Sequence, residues 1–127
     1  MNGGSATPHF PGPAPIDAYG NGGFRFADMS HRGSLLCLPD GIWAWDVTAP
    51  DAIDPTSLER VFAQAERIET LIVGTGNGVW IAPQTLRAAL RERKIVLDIM
   101  LTGPAIRTYN VMMGEGRHVA AALVAVP

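Results

Sequence analysis

The fold is decided by residues 70–101, which read TLIVGTGNGVWIAPQTLRAALRERKIVLDIML. Two apolar runs in this stretch, residues 70–73 and 95–101, have the length and composition of buried strands. Between them, Pro83 suits the first position of a helix, and apolar residues recur at helical spacing to about Arg93. A strand, a helix and a second strand in this order predict two parallel strands joined by a helical crossover.

The same alternation continues toward the C-terminus. Residues 102–104, TGP, begin a predicted third helix that ends at Gly114 and Gly116, because glycine readily adopts the backbone conformation that terminates helices. Residues 117–126 form a final predicted strand that is apolar after His118. The second half of the chain therefore reads as strand, helix, strand, helix, strand.

The N-terminal half is richer in strands. Residues 34–38 and 42–47 are predicted strands joined by Pro39-Asp40-Gly41, a sequence typical of tight hairpin turns. Residues 16–19 and 24–26 are shorter strand candidates that flank a glycine-rich turn. This half predicts antiparallel pairing.

A further helix is predicted between the two halves. Asp54 suits the cap and Pro55 the first helical position, and one apolar stripe continues to Ile68. On the strand before it, Trp43 and Trp45 share one face. We expect both in the core; if they are exposed, they would instead anchor an interface.

These elements predict an α/β fold with three layers. We expect a mixed, mostly parallel sheet with helices on both faces and an N-terminal β-hairpin, because apolar strands suit a sheet covered on both sides. The hairpin either adds antiparallel strands at one edge or forms a small second sheet. Residues 16–127 form the single predicted domain, and residues 1–15, rich in Pro and Gly, are predicted to be a disordered arm.

Composition excludes several classes of protein. With 10 basic and 12 acidic residues the net charge is −2, which argues against a general nucleic-acid binder, whose affinity comes from clustered Lys and Arg. A single cysteine excludes an internal disulfide framework and any multi-cysteine metal site. The three histidines lack metal-ligand spacing. We therefore predict no metal and no cofactor.

The chain carries no candidate membrane segment. Its longest unbroken apolar run is the eight residues 119–126, whereas a helical span needs roughly 20. The N-terminus has neither the basic start nor the apolar stretch of a secretory signal. We expect a cytoplasmic, bacterial protein without direct membrane insertion.

A candidate ligand site lies where two predicted loops meet. Ligands of open α/β sheets bind beyond the carboxyl ends of parallel strands, and residues 74–82 and 101–104 both follow such ends. The alternating glycines of the first loop let backbone N–H groups approach a ligand, or serve only a turn that needs positive φ. Neither the P-loop nor the dinucleotide pattern fits this spacing. The candidate ligand-binding residues are Gly74, Thr75, Gly76, Asn77, Gly78, Asp98, Thr102, Tyr109 and Arg117.

Three of these residues have alternative interpretations. Asp98 lies in an apolar strand, so in a sheet covered on both faces it is buried, either as an acid or base of raised pKa or as a carboxylate satisfied by amides or an Arg. Tyr109 directs its hydroxyl to the first loop or fills the core, and we favour the core. Arg117 pairs with Glu115 or with Asp98. No nucleophile–base arrangement accompanies them, and we assign no catalytic residue.

Basic residues gather on the predicted second helix and its end. Most such clusters are solvated faces, but this one could dock an acidic partner. Its members are Arg87, Arg91, Arg93 and Lys94.

Several stretches together resemble one known family. They are IDAYG at 16–20, LIVGTG at 71–76, TGPAIRTYN at 102–110, EGR at 115–117 and VAAAL at 119–123. The chain thus resembles a small family of domains of unknown function that includes the third mitochondrial NADH dehydrogenase (complex I) assembly factor and an adipogenesis-associated vertebrate protein. The resemblance implies a three-layer α/β fold, no known catalytic residue and, from the mitochondrial relative, a role in assembling respiratory complexes.

Two functional hypotheses follow. The favoured one is a non-catalytic protein-binding or assembly-factor-like module with an unidentified protein partner. The alternative is a small-molecule or anion-binding enzyme or sensor that uses the cleft at the Gly74 loop, with Asp98, Tyr109 and Arg117 as its polar groups. A second copy of the chain is a further candidate partner, and the sequence leaves open whether the apolar last strand forms such a homodimer.

Overall fold

The computed structural model describes residues 7–127 and has the predicted α/β architecture. Its helices are α1 (Glu59–Ala63), α2 (Gln84–Glu92) and α3 (Thr102–Gly114). Its strands are β1 (Ile16–Gly20), β2 (Gly23–Phe26), β3 (Met29–Arg32), β4 (Ser34–Leu38), β5 (Gly41–Trp45), β6 (Thr70–Gly74), β7 (Val96–Met100) and β8 (Val119–Leu123).

The main sheet is mixed, as the sequence predicts. Its strand order is β5-β4-β8-β6-β7. β6 runs parallel to both β7 and β8, whereas β4 pairs antiparallel with β5 and β8. The last strand, β8, is therefore the central one, with a neighbour on each side, and it offers no edge for the homodimer considered above. β7 is an edge strand.

Two apolar clusters cover the two faces of this sheet, which confirms the three-layer arrangement. The first cluster joins the sheet to α1 and α2 through Val61, Leu86 and Leu90. It also contains Trp43 and Trp45, which are buried, so the core interpretation of both is confirmed.

The second cluster packs α3 and a small three-stranded sheet against the opposite face. Ile106 and Tyr109 of α3 meet Ile16, Phe24 and Phe26 of the small sheet. That small sheet has the order β1-β2-β3. The predicted hairpin takes the first of its two alternatives, because β4 and β5 extend the edge of the main sheet. The second sheet is formed by β1 to β3 instead.

The helix predicted from Asp54 is in the right place but too long. Asp54 does not cap α1, because the N-cap of this helix is Leu58, which makes no side-chain hydrogen bond. Asp54 Oδ1 instead accepts from the Ser57 N–H at 2.7 Å in the turn before the helix. The α-helix covers only five residues, Glu59–Ala63, and a 3-10 turn follows at Ala65–Arg67. Gln64 separates the two, and its Oε1 accepts a hydrogen bond from the Asp40 N–H of the hairpin turn.

The N-terminal arm lies against the outer edge of β5 in its described part. The His9 N–H donates to the Ile42 carbonyl at 2.7 Å, and the Ile42 N–H donates to the Phe10 carbonyl at 3.0 Å. Residues 1–6 of the predicted disordered arm lie outside the described residues. Since the arm covers β5, the two ends of the sheet differ, and β7 is the edge without such a cover in the described part of the chain.

Candidate functional site

The two loops of the candidate ligand site meet at the carboxyl rim, the edge of the main sheet where β6, β7 and β8 end. The Gly76 N–H donates to Thr102 Oγ1 at 2.8 Å, and the Thr102 N–H donates back to the Gly76 carbonyl at 3.1 Å. The Thr75 N–H donates to the Met100 carbonyl at 2.9 Å. The predicted convergence of residues 74–82 with 101–104 is confirmed.

Thr102 is the centre of this rim. It is fully buried, and its Oγ1 also donates to the Val124 carbonyl at 2.8 Å. The Val124 N–H in turn donates to the Gly74 carbonyl at 2.9 Å. One hydroxyl thus links the loop after β6, the start of α3 and the end of β8, and its single proton is already used within the protein.

Local geometry explains two glycines of the first loop, Gly74 and Gly76. A Cβ at Gly74 would lie 3.0 Å from both Cα and Oγ1 of Thr102, so a side chain there would crowd the start of α3 and require it to shift slightly. Gly76 has φ +81°, in the left-handed region that favours glycine. The interpretation of a turn that needs positive φ therefore holds for Gly76, and ligand binding by the loop stays a prediction.

The tip of the first loop is exposed, and a hydrogen bond within the loop holds it. The Thr75 hydroxyl donates to the Gly78 carbonyl at 2.6 Å, and Asn77 and Gly78 are exposed. Of the nine candidate residues, the structure brings together those of the Gly74 loop and Thr102.

Asp98, Tyr109 and Arg117 are not brought to one cleft. Asp98 is exposed rather than buried, because β7 is an edge strand and sheet coverage is incomplete there. Arg117 is exposed and precedes β8 at the opposite end of the sheet. Val119 pairs with Thr70, and four residues of strand separate this level from the carboxyl rim by roughly 13 Å.

Tyr109 fills the core, as we favoured. It is 1% exposed and belongs to the second cluster, together with Cys37. Burial raises the pKa of the Tyr109 hydroxyl well above its ordinary value, with a smaller contribution from Cys37. Burial also raises the pKa of the Cys37 thiol to about 12. A thiol held in this form is not a nucleophile.

Sequence reasoning missed an exposed apolar loop beside the rim. Val79 is 93% and Ile81 80% exposed. Trp80, between them, is half-buried against the first cluster. The available signal was an apolar triplet between Gly78 and Pro83 that follows a strand but belongs to no strand or helix. We call residues 79–81 the apolar loop.

A basic groove lies between α2 and β7. Its volume is about 360 Å³, and Arg87, Arg91 and Lys94 line it together with residues 95–97. Within residues 7–127, neither Arg91 nor Lys94 has an ion-pair partner. Arg93, grouped with them in the sequence, turns away and donates to the Phe62 carbonyl at 3.1 Å.

A second groove, of about 420 Å³, lies on the small sheet. Tyr19, Arg25, His31 and Arg32 are among its lining residues. The ring of His31 lies 4.8 Å from that of His9, centroid to centroid. Burial lowers the pKa of His31, the neighbouring His9 lowers it further, and a hydrogen bond at Ser34 raises it in part. The contact between the two imidazole rings joins the arm to the small sheet.

Neither metal ligation nor membrane crossing is indicated in the described part of the chain. Residues 7–127 contain no group of three or more His, Cys, Asp or Glu side chains placed to hold a metal ion. Across the same residues, every helix is too short or too polar to traverse a bilayer.

Comparison with known sequences identifies relatives over nearly the whole chain. The model of a protein family of unknown function (DUF498/DUF598) matches residues 16–124. An uncharacterised protein of Rhodobacter capsulatus is 37% identical over 120 residues, which are 94% of this chain and 91% of that protein. The mouse NADH dehydrogenase [ubiquinone] 1 alpha subcomplex assembly factor 3 is 34% identical over 119 residues. This chain spans only 64% of the mouse protein.

Solved structures share the fold. A crystal structure from Bartonella henselae, described as an outer membrane protein, superposes with TM-score 0.90 at 53% identity, covering 94% of this chain and 100% of that one. An NMR structure from Rhodopseudomonas palustris gives TM-score 0.84 at 66% identity, covering 100% of this chain and 94% of that one. A Mth938-like domain from Bordetella pertussis gives 0.77 at 25% identity, covering 87% of this chain and 85% of that one.

Proposed function

The chain belongs to the DUF498/DUF598 family of proteins of unknown function, and on this premise we propose that it is a non-catalytic protein-binding module that acts in the manner of an assembly factor. A relative that is 34% identical, from mouse, is named as an assembly factor of NADH dehydrogenase. From that relative we carry over protein binding alone and do not specify the partner of this chain.

The observation that carries the proposal is the apolar loop. Val79 and Ile81 direct large apolar side chains into water at 93% and 80% exposure. Burial of apolar surface contributes roughly 25 cal/mol per Å², and these two side chains contribute little of it within the chain. Trp80 lies between them, and tryptophan is enriched among the residues that dominate binding energy at interfaces. A protein partner that covers residues 79–81 would recover this free energy.

The chemistry of the carboxyl rim supports binding rather than catalysis. The Thr102 hydroxyl accepts from Gly76 and donates to Val124, so it serves the fold. Tyr109 is buried in the second cluster. The alternative, a small-molecule or anion site at the Gly74 loop, would have to use the exposed tip at Asn77 and Gly78, and it receives less support.

Comparative co-purification tests the proposal. Tagged protein would be recovered from its native host after crosslinking, as the unmodified chain, as Val79→Ser/Ile81→Ser and as Val111→Ser. Val111 is the matched control, because it is also an exposed apolar residue, at 60%, but lies on α3. We expect a protein that accompanies the unmodified chain and the control and is lost with the loop variant. Equal recovery with all three chains would contradict the proposal.

The cytoplasmic location belongs to the same proposal. The described residues 7–127 contain no helix suited to crossing a membrane, whereas the Bartonella relative is described as an outer membrane protein. Fractionation of host cells decides between the two locations. We expect the protein in the cytoplasmic fraction, and its recovery with outer membranes would contradict that part of the proposal.

A further inference from the structure

We propose that the free edge of β7 and the basic groove beside it form a docking site for an extended acidic segment of a partner protein, which joins the main sheet as a sixth strand. The inference rests on the proposed function and specifies the chemistry of the partner. It starts from the difference between the two sheet edges. Phe10 pairs with Ile42 on the outer side of β5, while β7 ends the strand order.

The direction of the backbone groups on β7 follows from two hydrogen bonds. The Val96 N–H donates to the Glu69 carbonyl, and the Met100 carbonyl accepts from the Thr75 N–H, both at 2.9 Å and both toward the β6 side. In a parallel ladder, alternate residues direct their backbone groups to the same side. Residues 96, 98 and 100 therefore face β6. Leu97 and Ile99 present their N–H and C=O groups outward, which is the pattern an added strand requires.

The positive charge of the basic groove determines which kind of added strand would bind. Arg87, Arg91 and Lys94 are spaced along α2 and its end, and they line the groove against Ile95, Val96 and Leu97. Arg91 and Lys94 are exposed and have no ion-pair partner within the described residues. Carboxylates on an added strand would meet these cations directly, and such complementarity favours both encounter and register.

The face of the sheet sets the pattern of the segment. Leu97 and Ile99 pack in the first cluster on the α2 side of the sheet. Because side chains alternate along a strand, Asp98 lies on the opposite face and does not neutralise the cations of the groove. Val96 lies on the Asp98 side and is 63% exposed. The matching segment alternates acidic residues, which face α2, with apolar residues, which lie beside Val96.

A second copy of the chain fits this edge poorly. Two β7 strands paired antiparallel about a two-fold axis would keep both α2 helices on the same face of the joined sheet. The cations of the two grooves would then lie next to each other. Like charges placed this way oppose association.

Amide exchange measured by NMR on the full-length, ¹⁵N-labelled chain tests the proposal. The probe is an eight-residue peptide of alternating Val and Glu, and its control is the same peptide with Lys in place of Glu. We expect the Glu peptide to slow exchange of the Leu97 and Ile99 amides at least about tenfold, a population shift worth ~1.4 kcal/mol. The Asp98 amide already faces β6 and should not change.

Two variants connect the binding to the groove. Arg87→Glu/Arg91→Glu should weaken peptide binding by about tenfold or more, because attraction becomes repulsion at two positions. Arg107→Glu, an exposed residue on α3, should leave the affinity unchanged. Binding of both peptides alike, or unchanged exchange at Leu97 and Ile99 with the Glu peptide, would overturn the proposal.

Two further outcomes separate this proposal from the proposed function. If Arg87→Glu/Arg91→Glu still recovers the host partner that Val79→Ser/Ile81→Ser loses, and the Glu peptide does not bind, the docking site is refuted while the protein-binding function stands. If Leu97 and Ile99 are protected without peptide and the protein sediments as a dimer, the edge belongs to a second copy, and the acidic segment is refuted.

Discussion

The side chain of Asn110 and the backbone of Ile16 form a two-point contact. The Ile16 N–H donates to Asn110 Oδ1, and Asn110 Nδ2 donates to the Ile16 carbonyl, both at 2.9 Å. The two residues are 94 positions apart. This contact fixes β1, and with it the small sheet, to α3.

Loss of that contact should destabilise the protein. We expect Asn110→Ala to lower the free energy of unfolding by about 1–3 kcal/mol, because it removes two hydrogen bonds from partly buried backbone groups. The neighbouring Val111→Ala, at an exposed position, should change it by less than about 0.5 kcal/mol. Urea denaturation of both variants is the measurement, and equal midpoints would contradict the role given to Asn110.

The Thr102 hydroxyl should matter more than the size of its side chain. Thr102→Val keeps the shape but leaves the Gly76 N–H and the Val124 carbonyl without their partner, so we expect a loss of about 2–3 kcal/mol. Thr102→Ser retains the hydroxyl and should lose clearly less. If denaturation showed the Ser variant to be the weaker of the two, packing rather than hydrogen bonding would govern this position.

Gly76 and Gly78 should respond differently to the same substitution. Gly76 has φ +81°, whereas Gly78 has no positive φ and open space around its Cα. A β-branched residue resists positive φ, so Gly76→Val should cost about 1–3 kcal/mol and Gly78→Val much less. Arg87→Ala, in the basic groove, should also cost less than Gly76→Val. Denaturation midpoints that coincide for Gly76→Val and Gly78→Val would refute the backbone argument.

Acidification should weaken the fold through His31. Burial and the nearby His9 lower its pKa in the folded state below the ordinary value of 6.5. As the pH falls through 6.5 the unfolded chain binds a proton before the folded chain does, so the free energy of unfolding falls. The free energy of unfolding should therefore fall between pH 6.5 and the lower pKa of His31 in the folded state. His31→Gln removes this difference, so its free energy of unfolding should fall less over the same pH range. An identical pH dependence of the urea midpoint in both proteins would contradict the assignment.

Local signals were enough to predict the core of the fold. Pro83 at the start of α2 and Gly116, which has φ +78° just after α3, each act on the few residues around them. The apolar runs that form β6, β7 and β8 could likewise be recognised in the sequence. Convergence of the Gly74 loop with Thr102 then followed from the rule that parallel strands end at one edge.

What could not be predicted depends on strand order and tertiary contacts. The exposure of Asp98 is set by β7 being the outermost strand, which no property of residues 95–101 reveals. Arg117 lies at the far end of the sheet because β8 begins there. β3 was missed because MSHR has little strand character, and it forms by pairing with β2 after Ala27 and Asp28 adopt positive φ.

Photo-crosslinking in living host cells tests the central claim, protein binding through residues 79–81, most directly. A photoreactive residue would replace Val79 in one strain and Val111 in another, both exposed apolar positions. The account predicts a crosslinked protein of one discrete mass at position 79 that is absent at position 111 and reduced by Ile81→Ser. The same set of adducts at both positions, or none at position 79, would contradict it.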